Sequence, residues 1–169
     1  VSWAIVLFGA EVSHALVSVG RYRDDRQAEG ASFAALEAVG LRTMLVVSAA
    51  FQQDGRPQTA AEIAERTQAP TRLVSRALEV LTAAGLCNEV VRDNPASGYH
   101  PGRTLEKITP ADVLNALRRH GRPIELSTDS RTGILADELL ASVDVAQAAD
   151  LGRVTFRDLA ARLADAGKA

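Results

Sequence analysis

The chain has 169 residues, enough for one domain or at most two small ones. Hydrophobic residues make up 47% and charged residues 24%, which is ordinary for a globular fold, while aromatics at 4% favour a helical core of small side chains. The net charge of -2 argues against a strongly basic nucleic-acid-binding protein, and the single Cys87 excludes an internal disulfide or a cysteine-ligated cluster.

The chain opens with an apolar segment, residues 1–20, which contains Glu11 and is followed by Arg21 and Arg23. A membrane-spanning helix needs about 20 mostly apolar residues, and arginines mark its cytoplasmic flank. Since no initiator Met is present, the pattern predicts the end of a transmembrane helix, with membrane lipid as a partner and the chain after about Arg21 cytoplasmic. Glu11 would then be a polar group of the membrane segment. The alternative is a soluble protein in which this segment packs in a dimer core.

Residues 21–40 read as a juxtamembrane connector between that segment and the first predicted domain. Within it, residues 33–40 are expected to form a short helical turn or packing arm. Apolar residues at helical spacing then predict a helix over Leu41–Gln53, which the turn-forming residues 54–57 end.

The clearest local signals come next. Thr59 and Glu62 have the spacing of a capping box, in which hydroxyl and carboxylate satisfy orphan backbone donors, and they predict the start of a short helix. Thr71 is predicted to cap a second helix that runs to about Ala84. Gly85 is placed to end this helix in the left-handed conformation.

A two-stranded ribbon is predicted after the second helix. Residues 86–92 have strand character, residues 93–98 form a turn-rich tip, and residues 99–101 start a short return strand. Helices followed by such a ribbon have the order of a winged helix-turn-helix, which we assign to residues 41–120. The predicted fold class is therefore mainly α, with a small two-stranded β-wing.

Helices complete the predicted architecture. Thr109 and Pro110 have the form of a helix start, and this helix ends in the basic cluster Arg118–Arg122, which complements the helix dipole or, in a tethered chain, faces anionic lipid. Residues 121–169 are predicted to hold further helices. One of them, Thr132–Ala149, has an apolar stripe that would pair two copies in a homodimer.

The outward face of the second helix carries candidates for contacts with nucleic acid or a protein partner. Arg72 and Arg76 lie one helical turn apart and would reach phosphates or guanine edges in a major groove. Acidic residues such as Glu79 and Glu89 would repel phosphate, so the face also suits a protein-interaction module. The candidate contact residues are Thr71, Arg72, Ser75, Arg76, Arg92, His100 and Arg103.

No catalytic or metal-binding constellation emerges. The histidines lie in unrelated contexts, and neither a nucleophile elbow nor a glycine-rich phosphate loop is present. We therefore expect no enzymatic activity, no metal and no cofactor.

The run Leu7-Phe8-Gly9-Ala10-Glu11, within the longer segment Ser2–Val12, resembles the end of the last transmembrane helix of the YihY/BrkB family of bacterial inner-membrane proteins. That family typically carries a Trp/Leu-rich run followed by Leu-x-Gly-Ala-Glu. The resemblance implies that the chain is the C-terminal region of an integral inner-membrane protein, with five further spans missing.

A second resemblance covers residues 41–163, which look like the winged-helix repressors that sense iron–sulfur clusters or nitric oxide. It implies a winged-helix fold and DNA binding. The sensors hold their cluster through cysteines after the wing helix, and since residues 121–131 contain none, cluster sensing is not expected here. The matching segments are Thr59–Ala64, Leu81–Leu86, Ser97–Arg103, Ile108–Val113 and Val154–Leu159.

Together these patterns favour a YihY/BrkB-like inner-membrane protein whose cytoplasmic winged-helix domain serves interaction or regulation. The alternative is a soluble winged-helix transcription regulator that binds DNA without an iron–sulfur cluster.

Overall fold

The computed structural model describes residues 30–91, 97–121 and 130–166. This part of the chain is mainly helical with one small antiparallel sheet, which confirms the predicted fold class. The elements are α1 (Phe33–Gln53), α2 (Ala60–Thr67), α3 (Thr71–Ala83), β1 (Cys87–Val90), β2 (Gly98–Pro101), a 3-10 turn (Leu105–Lys107), α4 (Pro110–Arg119), α5 (Arg131–Leu151) and α6 (Phe156–Ala166).

Helix α1 begins earlier than the sequence indicated. Ser32 caps it by accepting a hydrogen bond from the Ala35 amide at 3.2 Å, so the predicted start at Leu41 was wrong, and the boundary between residues 21–40 and 41–120 falls inside the helix. Gly40, which the sequence placed at the end of the short turn or packing arm, lies within the helix and is buried. A Cβ at this position would lie 2.6 Å from Leu117 Cδ1, so the glycine allows α4 to approach α1 closely.

Helix α1 forms the centre of the core. It packs against α2, α3, α4 and α6, and its buried positions extend around much of its circumference. Within the described residues it is the one helix long and apolar enough to cross a membrane, with 21 residues and a mean hydropathy of 1.5. Its burial among four other helices accounts for that composition without a membrane.

Helices α2 and α3 form the helix-turn-helix. The predicted capping box is confirmed: the Glu62 amide donates to Thr59 Oγ1 at 3.2 Å, and the Thr59 amide donates to Glu62 Oε2 at 2.7 Å. Gln68 ends α2 in the left-handed conformation, with φ 52°. Pro70 stands at the N-cap of α3, so Thr71 is its first helical residue and not the predicted cap. Gly85 has φ 66°, as predicted for the end of this helix.

The wing is joined to the helix-turn-helix by backbone hydrogen bonds. Strands β1 and β2 pair antiparallel, with Cys87 opposite Pro101 and Val90 opposite Gly98. Gln58, in the link between α1 and α2, adds a bridge to Tyr99: each amide donates to the other carbonyl, at 3.2 and 2.8 Å. The described strand β1 is shorter than predicted.

The C-terminal helices differ in how they are packed. Thr109 caps α4 and Pro110 lies in its first turn, as predicted, and Asp112 completes a capping box with Thr109. Helix α6 returns to α1: Phe156 is fully buried, and its amide donates to Ile108 O at 2.9 Å. The predicted boundary at residue 120 therefore does not separate α6 from the winged-helix core. In contrast, none of the residues of α5, all of which the structure describes, is buried.

Candidate nucleic-acid interface

Helix α3 presents one polar face to solvent and buries the other. Leu73, Val74, Ala77 and Leu78 are at most 5% exposed and anchor the helix in the core. The opposite face carries four of the predicted contact residues together with Glu79, and all five are exposed as expected from the helical period. These residues are Thr71, Arg72, Ser75, Arg76 and Glu79.

The acidic residues near this face are not equally available to repel an anion. Glu62 is held by its capping box and by an ion pair in which Arg56 Nη2 lies 2.6 Å from Glu62 Oε1. Much of its charge is therefore compensated locally. Glu65, Glu79 and Glu89 are exposed, so the face keeps the mixed charge that the sequence indicated.

His100 and Arg103 each contact another part of the domain. His100 Nε2 lies 2.8 Å from Gly55 O, and its ring packs edge-on against Phe51, with centroids 5.4 Å apart. Arg103 Nη2 donates to Ala84 O at 3.0 Å, at the C-terminal end of α3. The structure thus brings four of the predicted residues together on α3, while His100 contacts the link after α1 and Arg103 contacts the end of α3. Arg92 and Glu11, with the predicted transmembrane segment, lie outside the described residues.

The basic cluster at the end of α4 ties three helices together. Arg118 Nε lies 2.9 Å from Glu37 Oε1 of α1, and its Nη1 donates to Gln147 Oε1 of α5 at 2.5 Å. Arg119 Nη2 lies 3.1 Å from Asp144 Oδ2 of α5. Sequence reasoning missed these roles because the partners are distant along the chain, and no local pattern marks such pairs.

A cavity of about 600 Å³ opens beside these arginines, between the C-terminal end of α3 and α4. Sequence reasoning did not find it, since its walls come from segments that are separate in the chain. Its lining residues are Val80, Ala83, Ala84, Leu86, Arg103, Asp112, Asn115, Ala116, Arg119 and His120.

The described residues do not fit an iron–sulfur cluster. Cys87 is fully buried, its Sγ lies 3.7 Å from Met44 Sδ, and burial raises the pKa of its thiol to about 12. A cluster ligand must be a thiolate, which this environment disfavours. Within residues 30–91, 97–121 and 130–166, no group of three or more His, Cys, Asp or Glu side chains could hold a metal ion. The expected lack of enzymatic activity stays a prediction.

No family model and no curated protein matches the chain. Solved structures do match it. CymR (YrzC), the global cysteine regulator of B. subtilis, is 23% identical with a TM-score of 0.55, over 75% of this chain and 94% of that one. IscR of T. potens is 22% identical with a TM-score of 0.54, over 82% and 90%, and CymR of Staphylococcus aureus is 20% identical with a TM-score of 0.50, over 74% and 94%. At these identities the likeness shows the winged-helix fold alone, and nothing in it supports a YihY/BrkB membrane protein.

Proposed function

We propose that the chain is a DNA-binding transcription regulator that reads DNA through α3. The observation that carries this proposal is the exposed face of α3, where four residues suited to phosphates and base edges stand on a helix whose other face is fixed in the core. The fold is shared with solved regulators, which favours this function over the membrane-protein interpretation.

In this function α3 lies in the major groove. Arg72 and Arg76 would each donate to guanine edges or phosphates, and the hydroxyls of Thr71 and Ser75 would contact the backbone. The mixed charge of the surface limits the non-specific electrostatic contribution, so base contacts would carry a larger share of the affinity.

A second copy of the chain is the partner that α5 requires. Leu139, Leu140 and Val145 of this helix are 68%, 65% and 70% exposed. A 21-residue helix gains most of its stability from burying an apolar face, and the described part of the chain contacts α5 mainly through α4. Pairing of two copies through α5 would bury these side chains and bring two α3 helices to one DNA site, as dimeric helix-turn-helix proteins do.

The test is selection of binding sites from random duplex DNA with the full chain, followed by fluorescence anisotropy at fixed salt. Arg76→Ala should weaken binding to the selected site about 5- to 150-fold, the equivalent of one bidentate base contact. Arg157→Ala is the matched control, because Arg157 is exposed and pairs with Glu106. If no sequence is enriched, or if both variants bind like the original chain, the proposal is wrong.

Membrane attachment is a separate hypothesis, favoured by the apolar composition of residues 1–20 and supported by no comparison. Its test is fractionation of cells that produce the full chain, with an alkaline carbonate wash of the membranes. Retention in the washed membrane would support an integral segment and an inner-membrane location. Recovery in the supernatant would support the soluble alternative.

A further inference from the structure

We infer that the cavity between α3 and α4 is a binding site for a small organic carboxylate with an apolar body. The cavity is an open groove of about 600 Å³, within the range of about 300–1,000 Å³ usual for small-molecule sites. This site is independent of the proposed DNA contacts, which lie on the exposed face of α3.

The floor of the cavity suits an apolar body. Ala83, Ala84 and Ala116 present apolar surface to the cavity, while Val80 and Leu86, each 2% exposed, lie in the buried core and add little surface of their own. Small side chains at three of these positions leave the space that a flat hydrocarbon or aromatic group would fill. An inorganic anion would leave this surface without a partner.

The polar lining suits a carboxylate. Arg103, Arg119 and His120 stand with Asn115 as nitrogen-bearing groups. The one acid in the lining, Asp112, is already engaged, because its Oδ2 accepts from the Thr109 amide at 2.8 Å and from Thr109 Oγ1 at 2.7 Å. The planar guanidinium group pairs with both oxygens of a carboxylate, which makes the two arginines its natural partners.

A ligand carboxylate would compete with a carboxylate of the protein. Arg119 Nη2 lies 3.1 Å from Asp144 Oδ2, and the two side chains are 75% and 43% exposed. An ion pair this exposed is weak, so a carboxylate seated in the cavity can displace Asp144 from Arg119. Since Asp144 belongs to α5 and Arg103 holds the carbonyl of Ala84 at the end of α3, the ligand would contact the groups that fix both helices. The cavity is thus placed to act as an effector site.

The experiment is isothermal titration calorimetry of the full chain with 2-naphthoate, its neutral analogue 2-naphthamide and inorganic phosphate. We expect 2-naphthoate to bind at least tenfold more tightly than either of the others, because it alone matches both the floor and the arginines. Equal binding of 2-naphthamide would overturn the role of the arginines. Equal binding of phosphate would overturn the role of the apolar floor, and no binding of 2-naphthoate would overturn the site.

Three variants localise the binding. Arg119→Gln should weaken 2-naphthoate binding about tenfold or more, as expected for loss of a charge-assisted contact. Asp144→Asn should tighten it several-fold, since the competing carboxylate is gone while Arg119 remains. Arg157→Gln is the control and should leave binding unchanged, because Arg157 is absent from the cavity lining and pairs with Glu106. Weaker or unchanged binding by Asp144→Asn would overturn the competition, and circular dichroism confirms that each variant is folded.

Discussion

Phe156 offers the sharpest test of the claim that α6 is part of the winged-helix core. It is fully buried, it contributes to the same apolar cluster as α1, and its amide is bonded to Ile108 O at 2.9 Å. Truncation to alanine removes a large buried ring and leaves a cavity that the surrounding helices fill only in part.

The expected loss of unfolding free energy follows from this burial. Large aromatic-to-alanine changes in cores cost about 3–5 kcal/mol, and complete burial of Phe156 places Phe156→Ala in that range. Leu163, on the same helix, is the matched control. It is 47% exposed, so about half of its surface is already in water, and Leu163→Ala should cost roughly 1 kcal/mol.

The assay is urea denaturation of the full chain at one fixed protein concentration, followed by circular dichroism at the helical minimum. Fixed concentration is required because the proposed self-association would add to the measured free energy of unfolding. Two results would contradict this prediction. Phe156→Ala and Leu163→Ala could lose the same free energy of unfolding, or α6 of Phe156→Ala could unfold alone in a separate transition. Either result would mean that α6 is not packed in the core as described.

Three further predictions use other parts of the molecule. Leu139→Asp should convert the full chain to a monomer in size-exclusion chromatography with light scattering, while Glu138→Gln should not; a dimeric Leu139→Asp would exclude α5 as the interface. Native Cys87 should react with Ellman's reagent only after unfolding, because burial raises the pKa of its thiol to about 12; fast labelling of the native chain would contradict this. Hydrogen bonds from Thr155 hold the pKa of Asp158 below its usual range. The stability that this shift contributes is present above the unfolded pKa of about 4 and is lost as the pH falls through the folded pKa. Asp158→Asn should therefore flatten the acid part of the plot of unfolding free energy against pH. An unchanged plot would refute this.

The features that the sequence predicted well are those encoded by neighbours in the chain. The capping box of Thr59 and Glu62, the left-handed Gly85 and the outward face of α3 each depend on residues within one or two helical turns. Local hydrogen bonds and the helical period decide such features, and both can be read without knowing the fold.

The features that the sequence did not predict depend on contacts between distant segments. Gly40 was expected at the end of a short turn or packing arm, but it lies within α1 and lets Leu117 of α4 approach. The partner of Arg118 at Glu37 is 81 positions away, and the cavity is assembled from three separate segments. Because tertiary packing chooses these partners, no pattern within α4 or α1 alone could have identified them.

The anchoring of the wing has a consequence for the proposed binding to DNA. Hydrogen bonds of Gln58 and His100 join β2 to the link that follows α1, so the ribbon is bonded to the segment between α1 and α2. Moving the ribbon away from this link would break the hydrogen bonds at both Tyr99 and Gly55. If the chain binds DNA as proposed, adaptation to different targets would fall to the spacing of two copies and to substitutions on the surface of α3, rather than to movement of the ribbon.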